Sequence, residues 1–368
     1  MIHWTRRQIL AAGVAVLPRI GRADAQETTV FAAGKDGYHT YRIPSLLAIS
    51  GGTLLAFVEG RRDSAADHGD VDLLLKRSTD GGGTWSPQML VYEEGGTAKI
   101  TIGNPCPVWD QRTKTVWLPF CRENNRVFVT KSRDGGLTWS APGEITKDVS
   151  KPDWGWYATG PGVGIQIQKG RRRRRLVIPC DHAVMREGVR ISYSHVIFSD
   201  DHGQTWQLGG SVGEHTNECQ VAELPNGVLQ LNMRNRLGRY GGKPDVDGYR
   251  LIAESRDDGL TWESQRVDSV LIEPMCQASL IRHPRRGWLL FSNPADKKQR
   301  VAMTVRISKD GGRTWPVSKL IHAGPSAYSC LAVLRDGTVG LLYEGGRVNR
   351  YEEIRFRRFP LDWLERPA

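Results

Sequence analysis

The 368-residue sequence predicts an all-β fold, a six-bladed β-propeller of four-stranded antiparallel blades, from three observations. The motif SxDxGxTW occurs five times, as STDGGGTW at Ser78, SRDGGLTW at Ser132, SDDHGQTW at Ser199, SRDDGLTW at Ser255 and SKDGGRTW at Ser308. Successive starts lie 54, 67, 56 and 53 residues apart, room for four short strands and their turns. An apolar, strand-like segment runs into every copy: 71–76, 127–131, 195–198, 249–254 and 301–307.

In chain order, residues 1–25 read as a twin-arginine signal peptide. Thr5-Arg6-Arg7-Gln8 precedes a short apolar run, and Ala23-Asp24-Ala25 fits a small-residue cleavage site. The expectation is export to the periplasm or outside the cell. Residues 26–368 then form one domain, roughly 57 residues per blade. In each motif copy the Asp can accept backbone N–H groups of its own turn, and the glycines supply positive φ. The Trp can cover the gap to a neighbouring sheet, so the motif is a structural corner. Five copies do not limit the protein to five blades. Segments 327–334, 339–343 and 355–359 follow the last copy, and 28–33 can add a fourth strand, so the N- and C-terminal strands close the ring and leave no edge.

Composition narrows the function classes. No stretch is long and apolar enough for a membrane-spanning helix. The net charge is +11, or +8 without residues 1–25, and five positive charges are the run Arg171 to Arg175. That run lies between two strand-like segments and reads as a solvated hairpin turn, not a nucleic-acid site. The remaining basic balance suits weak steering of an acidic substrate. Six scattered cysteines have no metal-type spacing; they are either buried thiols or include a disulfide. His68 and His182 read as polar residues satisfied within the fold, and no cofactor or metal is implied. A closed ring without an amphipathic association helix predicts a monomer.

The residues to examine are those in the same phase before a motif copy. Arg42 lies 36 residues before Ser78 and Glu218 lies 37 before Ser255, so both fall in first strands and should face one mouth. Tyr41-Arg42-Ile43-Pro44 resembles the F/Y-R-I-P motif of sialidases, and the five corners resemble that family's Asp boxes. The similarity extends through Glu59-Gly60-Arg61-Arg62, Ser64-Ala65-Ala66-Asp67, Thr159-Gly160-Pro161-Gly162, Asn217-Glu218-Cys219-Gln220, Asn232-Met233-Arg234-Asn235, Ser292-Asn293-Pro294 and Ala327-Tyr328-Ser329.

The resemblance implies a retaining exo-α-sialidase acting on terminal α-linked sialic acids of glycans. Such a substrate has a carboxylate on its anomeric carbon, and guanidinium forks suit that anion. By the resemblance these are Arg42, Arg234 and Arg300, with Glu344 orienting the first; Arg306 is a competitor for the third place, or else an exposed strand residue. A carboxylate nucleophile would face the substrate's own carboxylate, so a neutral hydroxyl is preferable, and sialidases are the tyrosine exception among glycosidases. The resemblance makes Tyr328 the nucleophile, Glu218 its base and Asp67 the acid/base. Arg61 and Gln277 are carried over as substrate-binding. Trp154, Trp156, Tyr157, Asp181, Gln220 and Gln277 are placed by matching segments where the glycerol and N-acyl ends would lie. Tyr328 is followed by Ser329-Cys330, a departure from the acidic or small residue expected at the second position. Two other readings use the same residues. One is hydrolysis of, or transfer from, a related 2-keto-3-deoxy sugar acid of the KDN type, which keeps the arginines and changes the wall reading C5. The other is a non-catalytic glycan-binding propeller, which needs none of Asp67, Glu218 and Tyr328.

Overall fold

The computed structural model describes residues 26–366; the leader read at 1–25 lies outside the described residues. Every strand segment that precedes a motif copy is a strand, and each runs to the Ser that opens the motif. Val, Ile, Leu and Phe dominate these strands because both faces are covered: residues 54–58 read Leu-Leu-Ala-Phe-Val, and all are fully buried.

The strands form antiparallel sheets with mostly consecutive neighbours, arranged like the blades of a propeller. The first sheet comprises Thr40–Ala48, Leu54–Arg61, Val71–Ser78 and Met89–Tyr92. The second and third each have a split first strand, Ile102–Gly103 with Val108–Asp110 and Trp154–Thr159 with Ile165–Gln166. The fourth comprises Thr216–Glu223, Leu229–Asn235, Tyr249–Ser255 and Glu263–Ile272.

The rest is one seven-stranded sheet, so five hydrogen-bonded sheets are present where six separate ones were expected. The physical reason is the strand Val317–Val333, which does not break. Its first half pairs with Val301–Ser308 and its second half with Val339–Gly345. Beyond these, Glu353–Phe359 pairs with Gln26–Ala32, which brings the first and last strands of the described chain together. Side chains tie this framework together: Ser45 Oγ of the first sheet donates at 2.7 Å to Gly162 O, in the break of the third sheet's split strand, and within the seven-stranded sheet Leu331 N donates to Ser279 Oγ at 3.0 Å.

The repeated motif builds the same corner five times. Ser78 Oγ donates to Asp80 Oδ1 (2.8 Å) and accepts from Gly82 N (2.8 Å), while Asp80 accepts from Thr84 N (3.0 Å) and Thr84 Oγ1 (2.7 Å). Asp134, Asp201, Asp257 and Asp310 repeat the pattern. Backbone and hydroxyl donation from Thr84 holds the Asp80 carboxyl down at about 2. Gly82 has φ +93°, and a Cβ there would sit 1.9 Å from Phe356 of another sheet. The tryptophans bridge sheets as expected: Trp85 packs edge-on to Phe356, and Trp139 to Phe57.

Two sequence expectations change, and one pair of open alternatives is decided. The basic run is not uniformly solvated: Arg175 is buried, forks onto Asp200 at 2.8 Å and stacks 3.8 Å from the Phe198 ring. Arg306 is buried and donates to Asn293 Oδ1, so it is not an exposed strand residue. All six cysteines are free and buried, which leaves the disulfide alternative without support. No helix among the described residues is long and apolar enough to cross a membrane.

Candidate active site

The site sits where strands of three sheets depart from regular pairing. Register shifts fall between Arg42 and Ser45, between Thr216 and Cys219, and between Ser326 and Ser329. Arg42, Glu218 and Tyr328 therefore each lie at or beside an irregularity that re-aims a side chain. Ile43 adopts φ +58°, rare for a β-branched residue, and its N–H donates to Glu344 Oε1 at 3.0 Å. That strain of about 1–3 kcal/mol is held by the surrounding contacts.

Two linked groups form the centre. In the first, Tyr328 Oη donates to Glu218 Oε1, and Arg234 Nη1 donates to Glu218 Oε2 at 2.7 Å and reaches Tyr328 Oη at 3.4 Å. In the second, the fully buried Glu344 accepts from Arg42 Nε at 2.7 Å, Ile43 N at 3.0 Å and Tyr328 N at 3.0 Å. Glu344 thereby fixes an arginine and the tyrosine backbone through one carboxylate. Arg300 lies 5.6 Å from the Tyr328 ring centroid and Arg42 5.2 Å, so the cations flank one phenol.

Asp67 is the open member, with its side chain 69% exposed. Its Oδ1 accepts from Arg61 Nη1 at 2.8 Å and lies 3.6 Å from Arg42 Nη1. Arg61 is in turn buried and held by Glu59 at 2.7 Å. Partial desolvation pushes the Asp67 carboxyl up, but Arg61 and then Arg42 outweigh it and leave the group below its usual range. Burial raises the Tyr328 phenol well above its ordinary value, and the adjoining Glu218 charge adds to this; Arg234 and Arg300 pull the other way. Burial disfavours the charged form of Arg42, yet Glu344 more than offsets it and keeps the guanidinium charged.

The structure thus brings Arg42, Arg61, Asp67, Glu218, Arg234, Arg300, Tyr328 and Glu344 together. Gln277 does not line the opening: it is buried, its amide donates to Pro161 O and Ser329 O, and its oxygen accepts from Ser329 N. Gln220 and Tyr157 are likewise buried, with Gln220 spent on the backbone at Pro161 and Cys219 and the Tyr157 hydroxyl on His195. Both were placed on the wall from sequence position, but their strands turn them into the floor and the gaps between sheets. Trp154 stacks on His182 at 3.5 Å, whereas Trp156 is half-buried under Arg190 and edge-on to His68. Asp181 is buried beneath the site; Oδ2 accepts from Asn217 and Oδ1 has no partner. Beside Tyr328, Ser329 shares a 2.8 Å hydroxyl contact with Ser292, and Cys330, the departure at the second position, is a free buried thiol, so the floor behind the phenol is uncharged. Sequence reasoning passed over Glu59 as the anchor of Arg61, and Tyr351, whose ring lies 4.0 Å below the Arg42 guanidinium. Glu59 lies two positions before Arg61 on the strand Leu54–Arg61 and so shares its face, whereas Tyr351 has no periodic signal and meets Arg42 only through the fold. Among the described residues no cluster of three or more His, Cys, Asp or Glu is placed to hold a metal ion.

Comparison with known proteins adds an independent line. Residues 52–341 match the family described as a BNR repeat-like domain. A sialidase from Micromonospora viridifaciens is 35% identical over 360 residues, covering 90% of this chain and 53% of that protein. Sialidase-2 from Mus musculus is 31% identical, covering 91% and 95% respectively. The solved structure titled Hadza microbial sialidase Hz136 superposes with a TM-score of 0.82 at 33% identity, covering 92% of this chain and 69% of that one. The chain spans about half the length of the Micromonospora protein.

Proposed function

The chain belongs to the sialidase family, and from that premise we propose that it is a retaining exo-α-sialidase that hydrolyses terminal α-linked sialic acids from glycans. The observation that carries the reading is the Tyr328 hydroxyl bonded to Glu218 among three guanidiniums, with an exposed Asp67 close by.

Arg42, Arg234 and Arg300 receive the substrate carboxylate, which places the anomeric carbon over Tyr328. Asp67 donates a proton to the leaving aglycone oxygen as the C2–O bond breaks. Tyr328 Oη attacks C2 from the other face and passes its own proton to Glu218. Water then loses a proton to the Asp67 carboxylate and attacks C2, and the C2–Oη bond breaks as Glu218 returns its proton to the phenolate. Two inversions give net retention. A neutral phenol avoids repulsion with the substrate carboxylate, and the arginines stabilise the phenolate as it forms.

The free-state charge of Asp67 fits this cycle. Arg42 and Arg61 hold it ionised, whereas a bound carboxylate neutralises Arg42 and releases Asp67 toward its protonated form. Two further parts belong to the proposal. Counting the long strand Val317–Val333 in two halves gives six four-stranded blades, with Gln26–Ala32 completing the last, a reading supported by the pairing on both halves. The segment 1–25 is proposed to direct export.

The test is release of 4-methylumbelliferone from its α-sialoside, beside the deaminated KDN-type glycoside and the Tyr328→Phe variant. The reading expects turnover of the sialoside and a loss of about 10³-fold or more in the variant. Turnover of the deaminated substrate alone would reassign the C5 wall; turnover of neither would leave a glycan-binding propeller.

A further inference from the structure

Three guanidiniums around one phenol repel one another, and two of them have carboxylate partners: Glu344 for Arg42 and Glu218 for Arg234. Arg300 has no carboxylate within salt-bridge distance among the described residues; it donates to Met275 O at 3.2 Å and to Tyr351 Oη at 3.4 Å. The Tyr351 ring also lies 4.0 Å from the Arg42 guanidinium carbon. One side chain therefore touches both the best-compensated and the least-compensated arginine.

The loop that carries Tyr351 is built for a fixed geometry. The Glu352 carboxylate accepts from the N–H groups of Arg347 (2.7 Å), Val348 (3.0 Å) and Asn349 (2.8 Å), and Asn349 Oδ1 accepts from Tyr351 N at 3.0 Å. Gly346 N donates to Pro325 O, which ties the loop to the strand of Tyr328. Val348 at the tip is 85% exposed, so these polar bonds, not burial of the tip, hold the loop. The Tyr351 ring packs against the buried cluster of Ile43, Cys276, Ala327 and Tyr328.

We propose that Tyr351 is a positioning residue that sets Arg42 and Arg300 for the substrate carboxylate. The inference rests on the sialidase reading above and deepens it. A phenol suits the task because it is an uncharged acceptor with an electron-rich face. A carboxylate here would neutralise the cations the substrate needs, and an apolar side chain would leave the Arg300 guanidinium with the Met275 carbonyl but without the hydroxyl acceptor.

The experiment is calorimetric binding of 2-deoxy-2,3-didehydro-N-acetylneuraminic acid and of its methyl ester to wild type, Tyr351→Phe and Tyr351→Ala, with KM and kcat on the 4-methylumbelliferyl sialoside. Tyr351→Phe keeps the ring under Arg42 and loses the Arg300 contact; it should weaken the acid about 3- to 10-fold and the ester less than about twofold. Tyr351→Ala loses both contacts and should weaken the acid about 30-fold or more, with KM rising in parallel and kcat moving less. Equal losses for acid and ester, or acid affinity within about twofold of wild type in both variants, would overturn the assignment. Failure of wild type to bind the acid would instead remove the sialidase reading, and this inference with it.

Discussion

Glu344→Ala probes the joint between the arginine cluster and the nucleophile. The carboxylate is fully buried and accepts from Arg42 Nε (2.7 Å), Ile43 N (3.0 Å) and Tyr328 N (3.0 Å). Its removal leaves a buried guanidinium with Asp67, 3.6 Å away, as its remaining carboxylate among the described residues, and two backbone N–H groups without this acceptor. Breaking a buried ion pair in this way costs about 3–5 kcal/mol. An unfolding entropy of about 2.1 cal/mol/K per residue gives about 0.7 kcal/mol/K over roughly 340 residues, so a loss of about 4 kcal/mol lowers Tm by about 5–6 °C. Displacement of Arg42 and of the Tyr328 backbone together should reduce kcat/KM by at least about 10²-fold. Differential scanning calorimetry and sialoside kinetics read the two effects, with Glu144→Ala as the comparison. Glu144 pairs with Arg126 on the surface, and its loss should leave Tm within about 1 °C. If Glu344→Ala also stayed within about 1 °C and kept its KM, the carboxylate would not be holding Arg42 and the account of the site would be wrong.

Asp67→Asn should reduce kcat/KM, which reports departure of the aglycone, by about 10²-fold or more for 3′-sialyllactose but much less for the 4-methylumbelliferyl glycoside, because the better leaving group needs little protonation; equal losses in kcat/KM would remove the acid role. Arg61 and Arg42 hold the free carboxyl below its usual range, so kcat/KM for sialyllactose should fall with rising pH earlier than kcat does, and coincident alkaline limbs in the two pH profiles would refute release of Asp67 by the bound carboxylate. Burial, and then the Glu218 charge, push the Asp181 carboxyl up to about 8. A group raised in the folded state stabilises fully below its unfolded value near 4 and loses that contribution as pH climbs toward 8, so Asp181→Asn should flatten the fall of Tm between pH 5 and 8; an unchanged slope counts against a neutral Asp181. Gly82→Ala sets a Cβ 1.9 Å from Phe356 at φ +93°, and thermal melts should show a loss of about 2 kcal/mol or more, whereas a wild-type Tm would mean the corner can open freely.

Much of the fold was legible because the repeated corner is local chemistry. Ser, Asp, Gly and Thr at fixed spacing satisfy one another within seven residues, so the motif located a turn and the strand before it wherever it occurred. The strands without a motif, 327–334, 339–343 and 355–359, were legible from the surplus length after Trp315. Continuity through Val317–Val333 was not, since nothing in the side chains distinguishes a bend from a break.

The site divides in the same way. Sequence alone determined which residue types are present, and the ordered motifs around Arg42, Asp67, Glu218, Arg234 and Tyr328 were enough to imply an anion-binding glycosidase. Tertiary structure decided the partners. Glu344 meets Arg42 across 302 positions of chain and Tyr328 meets Glu218 across 110, and such pairings depend on which strands reach the centre. It also decided that Gln277 and Gln220 serve the backbone, that Arg175 and Arg306 are buried, and that Tyr351 lies beneath an arginine. A residue's chemistry belongs to its side chain, but its neighbours and access to water follow from strand phase. One unpaired residue at a bulge reverses that phase, and the bulges beside Arg42, Glu218 and Tyr328 form only when the sheets pack.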